Sequence, residues 1–203
     1  LKGALDDAVR FGEIAVNPCT GTKLPKQKEK FQGKAYTQDE ARTLLEYAMQ
    51  DENGAGIVLA LFLGLRRSEI AGLRWQDIDF SANKVHIRNT VTKFRTTVEA
   101  EQTKSDAGRR DLVLSPQLKF YLQALRNTQR KNKELAGSSY VDSGHICQWA
   151  DGREQTPDYI YRHFKDAIKR LQLPDVRLHD LRHTAGSLLI NNGRNVKQVQ
   201  EFL

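Results

Sequence analysis

Three clusters of side chains in this sequence have the types and spacing that could do chemistry. The first is Gly64-Leu-Arg-Arg-Ser-Glu69, which closes a nearly all-apolar run. Arg66 and Glu69 stand three apart, so on a helix they share a face and can pair. A guanidinium held by a carboxylate in one orientation is a bidentate clamp for phosphate. The plainer reading is a surface ion pair worth under about 1 kcal/mol. The second cluster is Leu178-His-Asp-Leu-Arg-His-Thr184. Its His179 and Arg182 face the same way at i, i+3. His179 and His183 stand at i, i+4, which is also the spacing of a zinc-binding helix. A metallohydrolase built on that pair would want a glutamate base where Asp180 stands, and no third ligand stands out. Capping and core histidines are the remaining reading. The third cluster is Thr103-Lys-Ser-Asp-Ala-Gly-Arg-Arg110, in a turn between two predicted strands. Lys104 there could swing into a neighbouring groove, although most lysines in turns are simply solvated.

The elements that must position these groups follow from periodicity and breakers. A chain of 203 residues is one domain with room for a scrap of a second, and it can bury a substantial core. The spacing predicts a helix over 1–16, broken by Asn17-Pro18, and a lysine-rich linker over 17–35. Thr37 and Glu40 form a capping box that starts a helix with Leu44, Leu45, Ala48 and Met49 inward. Residues 55–64 read as a buried helix. The period then changes to two: Val85 and Ile87 alternate with polar residues, and 97–103 and 110–114 are also strand-like. Further helices start at Ser115, at Thr156-Pro157 and near residue 179, and a last one near Asn195. Their inner stripes are Leu118/Tyr121/Leu122/Leu125, Ile160/Phe164/Ile168/Leu171 and Leu181/Ala185/Leu188. The expected fold class is α+β, mostly helical, with a small antiparallel sheet of about three strands.

Composition narrows the function classes. Cys19 and Cys147 are far apart and outside any C-x-x-C, which speaks against a disulfide framework and a cysteine zinc module and suits a reducing compartment. The longest apolar run, Ile57–Leu65, is nine residues, short of the roughly 20 that a bilayer needs, so no membrane partner is expected. The chain opens on Leu1 and its single methionine is Met49, as a fragment of a longer protein would. The net charge is +7, and residues 81–135 alone carry 12 basic against 5 acidic groups. A basic middle on an otherwise balanced chain points to a polyanion such as nucleic acid, against the alternative of a solvated basic surface.

Together, the order and spacing of the three clusters resemble the catalytic domain of the tyrosine recombinases, the phage-integrase-like family. G-L-R-R-S-E-I-A-G-L-R-W-Q-D-I-D resembles the family's first arginine box, T-K-S-D-A-G-R-R-D-L-V-L its hairpin lysine segment, and L-H-D-L-R-H-T-A-G its His-x-x-Arg box. The resemblance runs over residues 35–203. It implies a catalytic domain over 36–203, a linker over 17–35, and over 1–16 the last helix of a preceding core-binding domain. It makes Arg66 and Arg182 the phosphate-clamping arginines, Lys104 the hairpin lysine and proton donor, and His179 the histidine of the second box. Glu69 becomes the acidic partner behind Arg66, and His183 a structural neighbour.

The family's tyrosine nucleophile has no match. All six tyrosines precede the second box, so the nucleophile is expected after Leu203 and this chain is expected not to cleave DNA. The implied activity is site-specific recombination, integration or excision of a mobile element, through a 3′-phosphotyrosine and with no metal or other cofactor. The implied partners are double-stranded DNA and three further copies, four protomers on two duplexes. The implied setting is the bacterial cytoplasm at the nucleoid. A non-catalytic DNA-binding or regulatory module is the alternative.

Overall fold

The most apolar stretch organises the architecture. The computed structural model describes residues 1–22, 35–94, 96–100 and 110–191. Helix α3 (Ala55–Leu63) buries every residue except Phe62. A helix that is apolar all round is stable only inside a core. Four others pack on it: α2 (Gln38–Gln50), α4 (Arg67–Gly72), α6 (Pro157–Arg170) and α7 (Asp180–Asn191). α6 turns its predicted stripe of Ile160, Phe164 and Ile168 inward, with Leu171 half-buried at its end. It comes so close to α3 at Gly56 that a Cβ there would sit 2.8 Å from Ile160 Cγ2.

α2 opens with the expected capping box. The Thr37 amide donates to Glu40 Oε2 at 2.8 Å, and the Glu40 amide donates to Thr37 Oγ1 at 3.3 Å. Its inner stripe is narrower than the sequence suggests: Ala41, Leu44 and Ala48 are buried, Leu45 is half-buried and Met49 is 40% exposed. Met49 lies in the last turn, past the edge of the face that meets α3. α5 (Pro116–Ala136) is capped by Ser115 and buries Leu118, Tyr121 and Leu122, with Leu125 half-buried.

The β-structure differs from expectation in membership. Strands β1 (Ile78–Asp79), β2 (Lys84–Ile87) and β5 (Arg110–Val113) form the three-stranded antiparallel sheet, in the order β1-β2-β5. The described part of the predicted strand over 97–103 is not a member of it. That part belongs to β4 (Thr96–Ala100), paired with β3 (Thr90–Phe94) in a separate hairpin. The sequence over 90–99 is rich in threonine and charge and lacks the apolar alternation of β2, so nothing ties it to the sheet's inner face. In the three-stranded sheet Val85 pairs with Leu112 and Ile87 with Arg110. Arg110 therefore shares the inner face with Leu112. The predicted turn at Gly108 and the helix from Asn195 lie outside the described residues.

Residues Leu1–Gln32 form their own compact unit. Its helix α1 (Lys2–Arg10) is shorter than the predicted 1–16, because Gly12 at φ +74 takes the left-handed conformation and ends it. Asn17 then reaches back to the Lys2 carbonyl and the Asp6 carboxylate. Among the described residues no helix is long and apolar enough to cross a membrane.

Gly72 ends α4 against backbone. A Cβ there would stand 3.0 Å from the Asn89 oxygen and 3.2 Å from Thr90 Cα. Gly72→Ala is expected to destabilise by about 1–3 kcal/mol in urea unfolding, whereas Gly3→Ala, with nothing within 4 Å, is not. Equal midpoints for the two variants would show that residues 89–90 give way freely.

Candidate active site

The site is built around a buried carboxylate. Glu69, in the first turn of α4, is 2% exposed. A charged carboxylate survives at that depth only if its oxygens are satisfied, and here four N–H groups satisfy them. Oε1 accepts from Arg66 Nη1 at 2.9 Å and from Arg110 Nη1 at 3.1 Å. Oε2 accepts from the Arg66 backbone N–H at 2.8 Å and from Arg110 Nη2 at 3.1 Å. Burial pushes the Glu69 carboxyl up, but the bonds from Arg110, then the Arg66 amide, outweigh it and hold the group below its ordinary value. The carboxylate is therefore ionised at neutral pH.

Each arginine arrives from a different element. Arg66 is the extended residue that opens α4, and Glu69, three positions on, caps its amide. Its side chain is 53% exposed, so the guanidinium is tethered at one edge and open at the rest. Arg67 points elsewhere, toward Asp158 and the Tyr161 ring of α6. Arg110 comes from the inner face of β5 and is 13% exposed. Arg182 comes from α7, 9% exposed, and donates from Nη1 to the Gly64 carbonyl at 2.7 Å. Gly64 can present that carbonyl because it closes α3 in the left-handed conformation, φ 57 and ψ 32, with its own amide donating to Ala60. Burial first, then Arg66 and Arg110, push the Arg182 guanidinium down to about 10, with Glu69 opposing them. It remains protonated at neutral pH.

The start of α7 is anchored from two sides. Asp180 is buried and accepts from the Arg177 amide at 2.8 Å and from its Nη2 at 2.9 Å. Thr184 Oγ1 accepts from the Tyr36 amide and donates to the Asp180 carbonyl. His179 and His183 are both exposed, with rings edge to face and centroids 5.8 Å apart. Burial, then His183 and Arg182, hold His179 below the ordinary histidine value. Among the described residues no third histidine, cysteine or carboxylate joins that pair as a metal-ligating group, and Asp180 is turned to Arg177. Among the described residues no tyrosine hydroxyl is hydrogen-bonded to Arg66, Arg110 or Arg182. The Tyr36 hydroxyl donates to the Pro174 carbonyl.

The structure thus brings together Arg66, Glu69 and Arg182, which the sequence pairs only in part. It makes the Arg66–Glu69 contact a buried anchor, not a surface ion pair. Lys104 lies outside the described residues, in the stretch between β4 and β5. Arg110 was not singled out by sequence reasoning. Its signal was strand alternation: it sits two residues before the inward Leu112, and an arginine on an apolar face needs a buried carboxylate. Three guanidiniums against one carboxylate give the cluster a net charge of +2, with Arg66 the most exposed of the three, and such a cluster suits an anion.

Comparison with known proteins identifies the family and the fold. The phage integrase family matches residues 34–203. The chain is 28% identical over 222 residues to the tyrosine recombinase XerC-like protein of Caldanaerobacter subterraneus subsp. tengcongensis, covering all of this chain and 56% of that one. It spans a little over half the length of the relatives it matches. Among solved structures, the Tn1549 transposon integrase in complex with transposon right end DNA superposes with a TM-score of 0.77 at 20% identity, covering 99% of this chain and 67% of that one. A lambda integrase tetramer bound to a Holliday junction gives a TM-score of 0.65 at 19% identity, over 100% of this chain and 55% of that one. With 34–203 matched and the fold shared, the chain belongs to the phage integrase family.

Proposed function

We propose that the whole protein containing this chain breaks and rejoins DNA at a specific site through a 3′-phosphotyrosine, integrating or excising a mobile element. The observation that carries this reading is the gathering of Arg66, Arg110 and Arg182 about Glu69, from elements far apart in sequence, in a chain of this family. A tyrosine oxygen attacks the scissile phosphorus and the bond from phosphorus to the 5′-oxygen breaks. A second negative charge gathers on the non-bridging oxygens in the transition state, and fixed cations stabilise it better than they do the ground state. Arg66 and Arg182 fill that role. Lys104 protonates the departing 5′-oxygen, a step that typically supplies ~10²–10⁴-fold. His179, held neutral at neutral pH, accepts and passes protons beside the phosphate. The covalent link keeps the bond energy, so rejoining needs neither ATP nor a metal.

The nucleophile is none of the six tyrosines of this chain, and we assign it to sequence following Leu203 in the whole protein. Double-stranded DNA is the partner. Four protomers on two duplexes are the working assembly, a reading supported by the lambda integrase tetramer on a Holliday junction. We place the reaction in the bacterial cytoplasm at the nucleoid, read residues 1–16 as the end of a core-binding domain, and read His183 as structural.

Arg66→Ala and Arg182→Ala in the whole protein are expected to lower covalent adduct on a nicked suicide substrate by about 10²-fold or more. DNA affinity should stay largely intact, because affinity rests on many phosphate contacts. Normal adduct in either variant would reject the assignment. Lys104→Ala is expected to slow cleavage of ordinary DNA and to be rescued by a 5′-bridging sulfur, which leaves without protonation; an unrescued variant would remove Lys104 as the acid. The present chain should bind duplex with an affinity that falls steeply with salt, log K against log salt having a slope of about −0.9 per phosphate neutralised. It should form no denaturation-resistant adduct. A flat salt series would remove DNA as the partner of the basic segment.

A further inference from the structure

The proposed reaction makes no use of Arg110, yet Arg110 makes the most complete contact in the site. It forks both Glu69 oxygens, at 3.1 Å each, from a side chain only 13% exposed. A carboxylate has about four lone-pair positions. Two go to Arg110, one to the Arg66 backbone N–H and one to Arg66 Nη1. Arg66 therefore commits a single one of its five side-chain donors to Glu69, on a side chain that is 53% exposed.

We infer that Arg110 is a positioning residue: by saturating Glu69 it stops the Arg66 guanidinium from folding onto the carboxylate and keeps it presented to the scissile phosphate. The inference rests on the reading that this site cleaves a DNA phosphodiester. Parallel two-point pairing is the preferred geometry of arginine with a carboxylate. With Arg110 removed, the buried Oε2 loses its side-chain donor, and the Arg66 guanidinium, already bonded to Oε1 of the same carboxylate, is placed to replace it. A two-point Arg66–Glu69 pair would take a second N–H from the phosphate and rotate the guanidinium plane toward the protein.

Charge acts in the same direction. Arg66, Arg110 and Arg182 against Glu69 leave +2, and without Arg110 they leave +1. A phosphodiester carries one negative charge and gathers a second on the way to its pentavalent transition state. The three-arginine cluster matches the transition state, and the two-arginine cluster matches only the ground state. Arg110 itself need not touch the DNA: it is 13% exposed and turns one N–H of each terminal nitrogen to Glu69.

The test uses the whole protein and two nicked duplex substrates, one with an ordinary phosphodiester at the scissile position and one with a methylphosphonate there. The methyl group removes one charged oxygen, so the transition state needs one cation fewer. Arg110→Gln is expected to slow cleavage of the diester by about tenfold or more, and that deficit should shrink to within about twofold on the methylphosphonate. A variant that had only lost stability would cleave both substrates more slowly by the same factor. Should Arg110→Gln fail to accumulate as folded protein, Arg110→Lys carries the same comparison, because it keeps the charge but cannot fork the carboxylate. A diester rate within about twofold of the parent, or an equal loss on both substrates, overturns the inference. Arg66→Ala is run alongside. If it cleaves the diester normally, the reading of the site fails and the inference falls with it. If Arg66→Ala is inactive and the Arg110 variants are not impaired, only the inference fails.

Discussion

A carboxylate buried where α4 meets β5 is the constraint on which this site depends. Glu69 cannot remain ionised inside the protein unless donors reach all of its lone pairs, and those donors are supplied by α4 itself and by β5. The requirement is mutual. Arg110 lies on the inner face of a sheet, where an unpaired guanidinium would be as costly as an unpaired carboxylate. Burying one group makes the other necessary, and the pair ties the sheet to the helical layer at the point where Arg66 emerges. Arg66 meets that tie with a single side-chain N–H, which holds one edge of its guanidinium while the side chain stays 53% exposed.

The core and the site share their other fixed point at the end of α3. An all-apolar helix has to stop where it leaves the interior, and Gly64 stops it in a conformation that turns its carbonyl toward α7. Arg182 uses that carbonyl, across 118 residues of sequence, to hold its guanidinium in place. α7 is held in turn by Asp180 on the Arg177 amide and by Thr184 on the Tyr36 amide. Packing of α2, α6 and α7 on α3 thus sets the spacing between the first and second arginine boxes. A cluster assembled in this way pays its repulsion in advance: Arg182 is pushed down by burial and by its two cationic neighbours. In the proposed reaction an incoming phosphate would relieve that repulsion, and a phosphate gathering charge would relieve it further, so the cluster would favour the transition state.

Much of this was legible in the residues themselves. The capping box at Thr37 and Glu40, the buried run over 55–63, the α6 stripe and the helix around His179 and Arg182 follow from local rules of spacing and capping, which act between residues a few positions apart. The pairing of Arg66 with Glu69 was also local, since it rests on their i, i+3 relation. Where local rules compete, the sequence misplaced things. α1 ends at Arg10 instead of running to residue 16, Met49 faces out, and the strand at 96–100 joins its own hairpin instead of the sheet.

By itself, then, the sequence determined α2, α3, α5, α6 and the start of α7, most of their inner faces and the arginines that could pair with a carboxylate, because each depends on near neighbours along the chain. Only the tertiary structure decided that Glu69 is buried, that Arg110 shares it and that Arg182 rests on Gly64. Burial and charge pairing are properties of groups that meet in space, and a sheet register and a helix crossing, not a motif, bring Arg110 and Arg182 to the first box.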